Sequence, residues 1–188
     1  AYVDAFEMPE VEEEEDTGPS YEFAELEIGK IRYTERSGDG VPVVLIHGFG
    51  GDLDNWLFNI DALAEKAPVY ALDLPGHGQS VKAVANPNLE TMVSAVIQLM
   101  DHLKLEKAHL VGHSMGGLVA AQTGISNPKR VASLSLICSA GLGDEINAEY
   151  IDGFVFAANR KELKPKLKHL FADESLVNRS MVDDLLKY

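Results

Sequence analysis

Four short apolar runs recur along the chain, separated by segments of different periodicity. Each run is rich in aliphatic and β-branched residues, which predicts a strand buried on both faces of a sheet. The runs lie in the segments VPVVLIHGFGG, APVYALDLPGHGQS (67–80), KAHLVGH and RVASLSLICSA. We therefore expect four core strands.

The segments between these runs carry apolar residues at the spacing of three and four that one face of a helix requires. Asp54 is predicted to cap the first helix and Asn88 the second, because such side chains accept from free first-turn N–H groups. The third helix is expected to open at Ser114 and to end before Pro128. The apolar positions are Trp56, Ile60, Leu63 and Ala64 in the first helix, and Leu89, Met92, Val93, Val96, Ile97, Met100 and Leu103 in the second. Alternation of strand and helix predicts an α/β fold, with a mostly parallel sheet and helices on both faces.

Both ends of the chain depart from this alternation. The stretches EFAELEI and KIRYTE each partly alternate and are separated by Gly29, which predicts a β-hairpin. After Gly143 the sequence has no strand pattern and is typical of helices. We expect residues 21–143 to form the domain core and residues 144–188 to form a helical cap region.

The acidic residues are concentrated near the start of the chain. The formal net charge is −14, but residues 1–29 hold eleven of the thirty acidic residues and no Lys or Arg. The stretch EMPEVEEEEDTGPS (7–20) contains five consecutive acids with Pro and Gly, and it cannot bury apolar surface. Residues 1–20 are therefore predicted to be an acidic linker.

Composition also bears on the classes of partner and compartment. From Lys30 onward sixteen basic residues face nineteen acidic ones, so the chain lacks the basic footprint of a nucleic-acid-binding protein. A single cysteine, Cys138, fits a reducing, cytoplasmic compartment, and we expect it to be a buried inert thiol. No run is long enough to span a membrane, and no Cys/His cluster has metal-ligand spacing. The sequence thus predicts no nucleic acid, no membrane and no metal.

The segment GHSMGG (112–117) marks the candidate chemistry. It matches the G-x-S-x-G pattern of a nucleophile elbow, a tight turn in which a strand ends at a serine and a helix begins. Glycines on either side of Ser114 avoid collisions with neighbouring backbone, and the helix N-terminus favours negative charge. Because a strand is predicted before the pattern and a helix after it, we interpret Ser114 as a catalytic nucleophile.

A second glycine-rich turn, HGFGG (47–51), follows the first core strand. Its glycines let the backbone approach a substrate and present an N–H group. We predict an oxyanion hole made of the N–H groups of Phe49 and Met115. The simpler interpretation, a plain strand-to-helix turn, is less favoured because GHSMGG follows at the expected distance.

The motifs VVLIHGFGG, DLPGHGQS and LVGHSMGGLVA, taken together, resemble those of the α/β-hydrolase family over residues 21–188. More specifically, GFGGDLDNWLFN, LDLPGHGQS, GLGDEIN, GFVFAANRKELKPKL and LKY resemble the family of dihydrolipoamide acetyltransferase components of acetoin dehydrogenase complexes. In that family an acidic linker joins a lipoyl domain to a hydrolase-fold domain. The resemblance implies a lipoyl group on an upstream domain, a small-molecule acyl thioester as substrate and coenzyme A as acceptor of its acetyl group. It also implies the lipoyl domain and the other components of that complex as partners. It leaves the residues that bind a cofactor unassigned.

The resemblance also implies that the triad acid and histidine follow the cap, beyond Tyr188, so that the last part of the fold is absent from this chain. Asp73 precedes Ser114 and is interpreted as a turn residue. We expect the six histidines to be structural and the chain alone to be inactive. The histidines are His47, His77, His102, His109, His113 and His169.

Several alternatives stay open at this stage. An ester or C–C bond hydrolase would carry the same motifs, since fold does not fix substrate; a catalytically silent docking module is a third class. Two groups of residues have either a packing or a binding interpretation. The aromatic residues Trp56, Phe154, Phe156 and Phe171 could line an acyl pocket, and the basic residues Arg160, Lys161, Lys164, Lys166 and Lys168 could meet coenzyme A phosphates or an acidic lipoyl domain.

Overall fold

One six-stranded sheet organises the protein. In the computed structural model, which describes residues 20–186, the strands lie in the order β1-β2-β4-β3-β5-β6. Their bounds are β1 Tyr21–Leu26, β2 Gly29–Arg36, β3 Val43–Ile46, β4 Val69–Leu72, β5 Ala108–His113 and β6 Val131–Ile137. Strands β4, β3, β5 and β6 run parallel to one another. This confirms the expected α/β fold with a mostly parallel sheet.

The first two strands form the predicted antiparallel hairpin. Gly29 lies at its turn with φ of +115°, a conformation that favours glycine, and pairs with Leu26. Strand β2 then pairs antiparallel with β4, so the hairpin adds to the parallel strands at one edge. The predicted acidic linker, apart from Ser20, lies outside the described residues.

Helices cover both faces of the sheet. Successive residues of β3 point to opposite faces: Val44 and Ile46 pack in one core with α2 and α3, and Val43 and Leu45 pack in another with α1. The helix bounds are α1 Leu57–Ala64, α2 Leu89–His102, α3 Met115–Ser126, α4 Ala148–Phe156, α5 Arg160–Leu167 and α6 Arg179–Leu185. The two-sided covering is therefore as expected.

Two helix caps were predicted, and one is wrong. The Asn88 side chain accepts from Thr91 N at 3.0 Å, which confirms the cap of α2. The first helical segment is instead a short 3₁₀ helix (Leu53–Trp56) that runs into α1, and its capping side chain is Asp52, which accepts from Asp54 N. Asp54 turns away because its carboxylate pairs with Arg32 at 2.8 Å.

Strand β6 differs from the prediction of a fourth core strand. It pairs with β5 on one side, and within residues 20–186 no strand pairs with its other side. Leu134 and Ile137 are consequently 41% and 43% exposed. Cys138, directly after the strand, is exposed as well, so the prediction of a buried thiol is wrong. The apolar sequence of β6 is that of a core strand, but its position is at the edge.

Residues 144–186, which we call the cap layer, pack as a separate layer that contains helices α4, α5 and α6. They have a small core of their own, made of Leu163, Leu167, Val177 and Val182. Three of the five basic residues considered from the sequence form surface ion pairs: Arg160 with Asp183, Lys166 with Glu149, and Lys168 with Glu174. The division of the chain at residue 143 into a core and a cap stays a prediction.

Candidate active site

Ser114 occupies a strained turn between β5 and α3. Its φ of 52° and ψ of −118° are unusual for a residue with a side chain. The turn is held from the end of β6, because Ser114 N donates to Ile137 O and Ala140 N donates to Ser114 O, each at 3.0 Å. The backbone therefore has the geometry that a nucleophile elbow requires.

The glycines of the elbow are required by close backbone packing. A Cβ at Gly116 would overlap the carbonyl oxygens of Ile46 and His47, at the end of β3, and one at Gly112 would overlap the backbone of Gly116. The first turn of α3 is thus pressed against the end of β3. This contact brings GHSMGG and HGFGG together, as the sequence predicted.

The HGFGG turn passes directly beside Ser114. A Cβ at Gly48 would stand 3.2 Å from Ser114 Cβ, so only a bare α-carbon fits there without a shift. Phe49 follows Gly48 and is partly buried, and Met115 is the first residue of α3. The N–H groups of a helix's first turn have no acceptor within the helix, which leaves that of Met115 available. These positions agree with an oxyanion hole made of Phe49 and Met115.

His47 is fully buried behind this turn. Its Nδ1 donates to Gly48 O at 2.7 Å, and its Nε2 accepts from Leu74 N at 3.0 Å. Burial lowers the pKa of His47 to about 3, so the imidazole is neutral with its proton on Nδ1. The sequence indicated that His47 belongs to the turn, but it carried no signal of the contact with Leu74.

Aromatic side chains cover the outside of the turn. The Phe49 ring meets those of His77, Tyr150 and Phe154 edge-on, with centroids 6.2, 6.4 and 5.4 Å apart. Tyr150 and Phe154 both come from α4, so the first helix of the cap layer closes over the site. Burial raises the pKa of Tyr150, which keeps its hydroxyl protonated at neutral pH.

Of the four aromatic residues considered from the sequence, one reaches the site. Phe154 does so, whereas Trp56 lies in the core beside α1 and Phe171 packs in the small core of the cap layer. Phe156 is 78% exposed. Tyr150 was missed, because only the docking of α4 onto HGFGG brings it there.

No histidine is paired with Ser114 within residues 20–186. His77 Nδ1 donates to Pro75 O at 3.1 Å, and His109 Nδ1 contacts Ser133 Oγ at 2.7 Å. The His102 ring lies edge-on to Tyr33. His113, next to Ser114, is exposed, and so is His169 in the cap layer. These positions agree with structural roles for the histidines of the described chain.

Asp73 also takes no part in a triad with Ser114. It is fully buried at the end of β4 and accepts from Leu53 N at 2.8 Å and Gln79 N at 2.7 Å. Arg32 lies 3.4 Å from its Oδ2 and bridges it to Asp54. Burial raises the pKa of Asp73, an effect that these donors oppose. Asp73 therefore joins the segment at Leu53 to the loop at Gln79 by hydrogen bonds.

Neither a metal site nor a membrane span stands out in the described part of the chain. Residues 20–186 contain no group of three or more His, Cys, Asp or Glu side chains arranged to hold a metal ion. No helix in that range combines the length and the apolar character that a bilayer crossing needs.

Comparison with known proteins agrees with the geometry. The model of the alpha/beta hydrolase fold family matches residues 41–182. The chain is 50% identical, over its whole length, to the dihydrolipoyllysine-residue acetyltransferase component of the acetoin cleaving system of Cupriavidus necator. It is 54% identical, over 91% of its length, to the component of the same name from Pseudomonas putida. The chain spans 50% and 46% of these two relatives, which is about half of their length. The resemblance drawn from the motifs is thus confirmed.

Solved structures give the same fold. A mutant of a meta-cleavage product hydrolase (CumD) superposes with a TM-score of 0.80 at 27% identity, over 88% of this chain and 62% of the other. A bacterial membrane phospholipase A superposes with a TM-score of 0.75 at 29% identity, over 90% of this chain and 59% of the other.

Proposed function

The chain belongs to the alpha/beta hydrolase family, and from this premise we propose that Ser114 is the nucleophile of an acyl-transfer reaction in the intact protein. One observation carries the proposal. The strained Ser114 turn lies directly against Gly48, so that the Phe49 and Met115 N–H groups stand on the two turns that meet at the serine. A hydroxyl beside two backbone donors is the arrangement that acyl transfer requires.

We propose that the acyl group is acetyl, and that it passes from a dihydrolipoyl thioester to coenzyme A. The names of the two relatives that are 50% and 54% identical support this substrate pair. The aromatic cover of Phe49, Tyr150 and Phe154 supports it independently, because a wall of rings close to the turn suits a short apolar acyl chain. When bound, the lipoyl group supplies the acetyl thioester, and coenzyme A supplies the accepting thiol.

In the proposed reaction Ser114 Oγ attacks the thioester carbonyl and forms the C–O bond while its proton passes to a general base. The base and its acid partner are contributed by residues outside 20–186. The Phe49 and Met115 N–H groups hold the oxyanion, and the C–S bond then breaks, leaving acetyl-Ser114 and a thiol that takes the proton. Attack by the second thiol reverses the sequence and restores the Ser114 hydroxyl. Cover by α4 favours the thiol over water at the acyl-enzyme stage.

A hydrolase that uses water as acceptor is the second candidate. The fold similarity to a meta-cleavage product hydrolase, at 27% identity, favours it. Both candidates use the same nucleophile and oxyanion hole and differ in the acceptor. A silent docking module, the third class, would need neither.

Product partitioning in the full-length protein tests the proposal. The protein receives acetyl-dihydrolipoamide with and without coenzyme A, and acetyl-coenzyme A and free acetate are both quantified. Acetyl-coenzyme A should be the main product, and Ser114→Ala should lower its formation by several orders of magnitude, since triad members act as a unit.

Three results would contradict the proposal. Free acetate in excess, unchanged by coenzyme A, would indicate a hydrolase. Wild-type turnover in a folded Ser114→Ala variant would exclude Ser114 as the nucleophile. No turnover of either kind in the wild-type protein would leave the docking module.

A further inference from the structure

Two hydrogen bonds hold the carbonyl of Gly48 in the HGFGG turn. It accepts from His47 Nδ1 at 2.7 Å and from Gly51 N at 3.1 Å, so both of its lone pairs are used. The imidazole is itself held from behind, because Leu74 N donates to His47 Nε2 at 3.0 Å. A chain of hydrogen bonds thus runs from the end of β4 through His47 to one peptide unit of the turn.

That peptide unit carries the Phe49 N–H. A peptide bond is planar, and in the trans form its C=O and N–H point in opposite directions. The described residues contain no cis peptide bond. Fixing the direction of the Gly48 carbonyl therefore fixes the direction of the Phe49 N–H on the opposite side of the plane.

We propose that His47 is a positioning residue that aims the Phe49 N–H into the oxyanion hole. The inference rests on the proposed function in taking Ser114 as the nucleophile and the Phe49 N–H as an oxyanion-hole donor, and it is independent of the acceptor. His47 touches neither substrate nor nucleophile and acts through the Gly48–Phe49 peptide.

The Gly48–Phe49 peptide needs an anchor from outside the turn, because the residues of the turn itself restrict backbone rotation only weakly. Gly48 lies on one side of Phe49, and Gly50 and Gly51 on the other, and glycine adopts many backbone conformations at low cost. The 3₁₀ helix that follows the turn has a second anchor, since Leu53 N donates to Asp73 Oδ1 at 2.8 Å. Asp73 and Leu74, which follow β4, thus hold the start of the turn and the helix after it.

The chemistry of the position explains why a histidine serves there. The site offers one acceptor, Gly48 O, and one donor, Leu74 N, about an imidazole's width apart, and it is fully buried. A neutral imidazole matches both with one ring, whose rigidity fixes the carbonyl. A glutamine amide also carries one donor and one acceptor, whereas leucine carries neither. This difference makes the proposal testable by substitution.

The experiment compares His47→Gln and His47→Leu in the full-length protein, with His109→Gln as the control, since His109 lies on β5 and its Nδ1 contacts Ser133. The first measurement is the affinity for an alkyl trifluoromethyl ketone, which adds to a serine hydroxyl and forms an oxyanion. The second is kcat and KM for p-nitrophenyl acetate, a substrate that needs neither a lipoyl group nor coenzyme A. Circular dichroism establishes that each variant is folded.

We expect His47→Leu to lower both adduct affinity and kcat by roughly 10–100-fold, less than the 10²–10³-fold loss of a whole donor, with KM within about twofold. His47→Gln should stay within about threefold of wild type, and His109→Gln should match it. If His47 had a purely structural role, its replacement would not lower kcat and the adduct affinity while KM stayed the same. A folded His47→Leu variant with wild-type adduct affinity would overturn the proposal, as would a wild-type protein that forms no adduct.

A spectroscopic measurement decides the case in which His47→Leu does not fold. In ¹⁵N-labelled wild-type protein, long-range ¹H–¹⁵N correlation should show His47 with a protonated Nδ1 and a bare Nε2 from pH 5 to 8. The opposite tautomer would overturn the proposal, because Nδ1 could not then donate to Gly48. If acetyl transfer to coenzyme A fails while the adduct behaves as expected, the proposed acceptor is wrong and the role of His47 stands.

Discussion

Replacing His47 by glutamine should flatten the dependence of stability on pH below neutrality. The wild-type imidazole is fully buried between Gly48 O and Leu74 N, and burial lowers its pKa to about 3. An unfolded chain exposes the same imidazole to water, where its pKa is about 6.5. Below pH 6.5 the unfolded state therefore binds a proton that the folded state excludes.

The direction and size of the effect follow from this difference. Because the unfolded state binds more protons, stability rises with pH, is fully present above pH 6.5 and is lost as the pH falls from 6.5 toward 3. At pH 5 the loss from one such group is about 2 kcal/mol relative to pH 7.5. Glutamine does not titrate, so this part of the pH dependence should vanish in His47→Gln.

Urea unfolding of both proteins at pH 5, 6, 7 and 8 measures the effect, as the difference in the free energy of unfolding at each pH. His77→Gln serves as a comparison: burial also lowers the pKa of His77, but this residue is only partly buried and should account for a smaller share. The reasoning would be refuted if His47→Gln kept the wild-type change between pH 7 and 5, since His47 would then be protonated in the folded protein.

Two further substitutions test the strain at the nucleophile and the cover of the site. Ser114→Gly should raise the free energy of unfolding by about 1 kcal/mol while abolishing activity, because glycine relieves the positive φ of 52°; urea unfolding checks this, and a loss of stability would show that the turn is not strained. Phe154→Ala should improve kcat/KM for butanoyl relative to acetyl thioesters roughly tenfold, since two more methylenes gain about 0.8 kcal/mol each in the vacated space. The exposed Phe156→Ala is its matched control, and equal acyl preference in both variants would remove α4 from the acyl pocket.

The parts of the fold that depend on local sequence were predictable. The Gly29 hairpin, the Asn88 cap and the end of α3 before Pro128 are each decided by neighbouring residues. The meeting of the elbow with the HGFGG turn was also predictable, because parallel strands bring their carboxyl ends to one edge of the sheet.

The errors and omissions involve partners distant in sequence. Asp54 could not be recognised as the partner of Arg32, since nothing near either residue indicates the pair. An apolar strand such as β6 has the same pattern at the centre of a sheet or at its edge, and only its neighbours distinguish the two. Tyr150 was missed because only the docking of α4 brings it to the site, and the contact of His47 with Leu74 had no signal near either residue.

The packing of Gly116 against the carbonyls of Ile46 and His47 has a consequence for how this protein can diversify. The contact joins backbone to backbone, so main-chain atoms set the spacing of the Ser114 turn and the HGFGG turn at this point. If the proposed function holds, substitutions in α4 can alter which acyl groups enter and leave this backbone contact unchanged. Mutations at Gly116 have no such freedom, because a side chain there would overlap the carbonyl oxygens of Ile46 and His47, and a side chain at Gly48 would crowd Ser114. Selection can thus explore new substrates at one set of positions while the chemistry stays fixed at another.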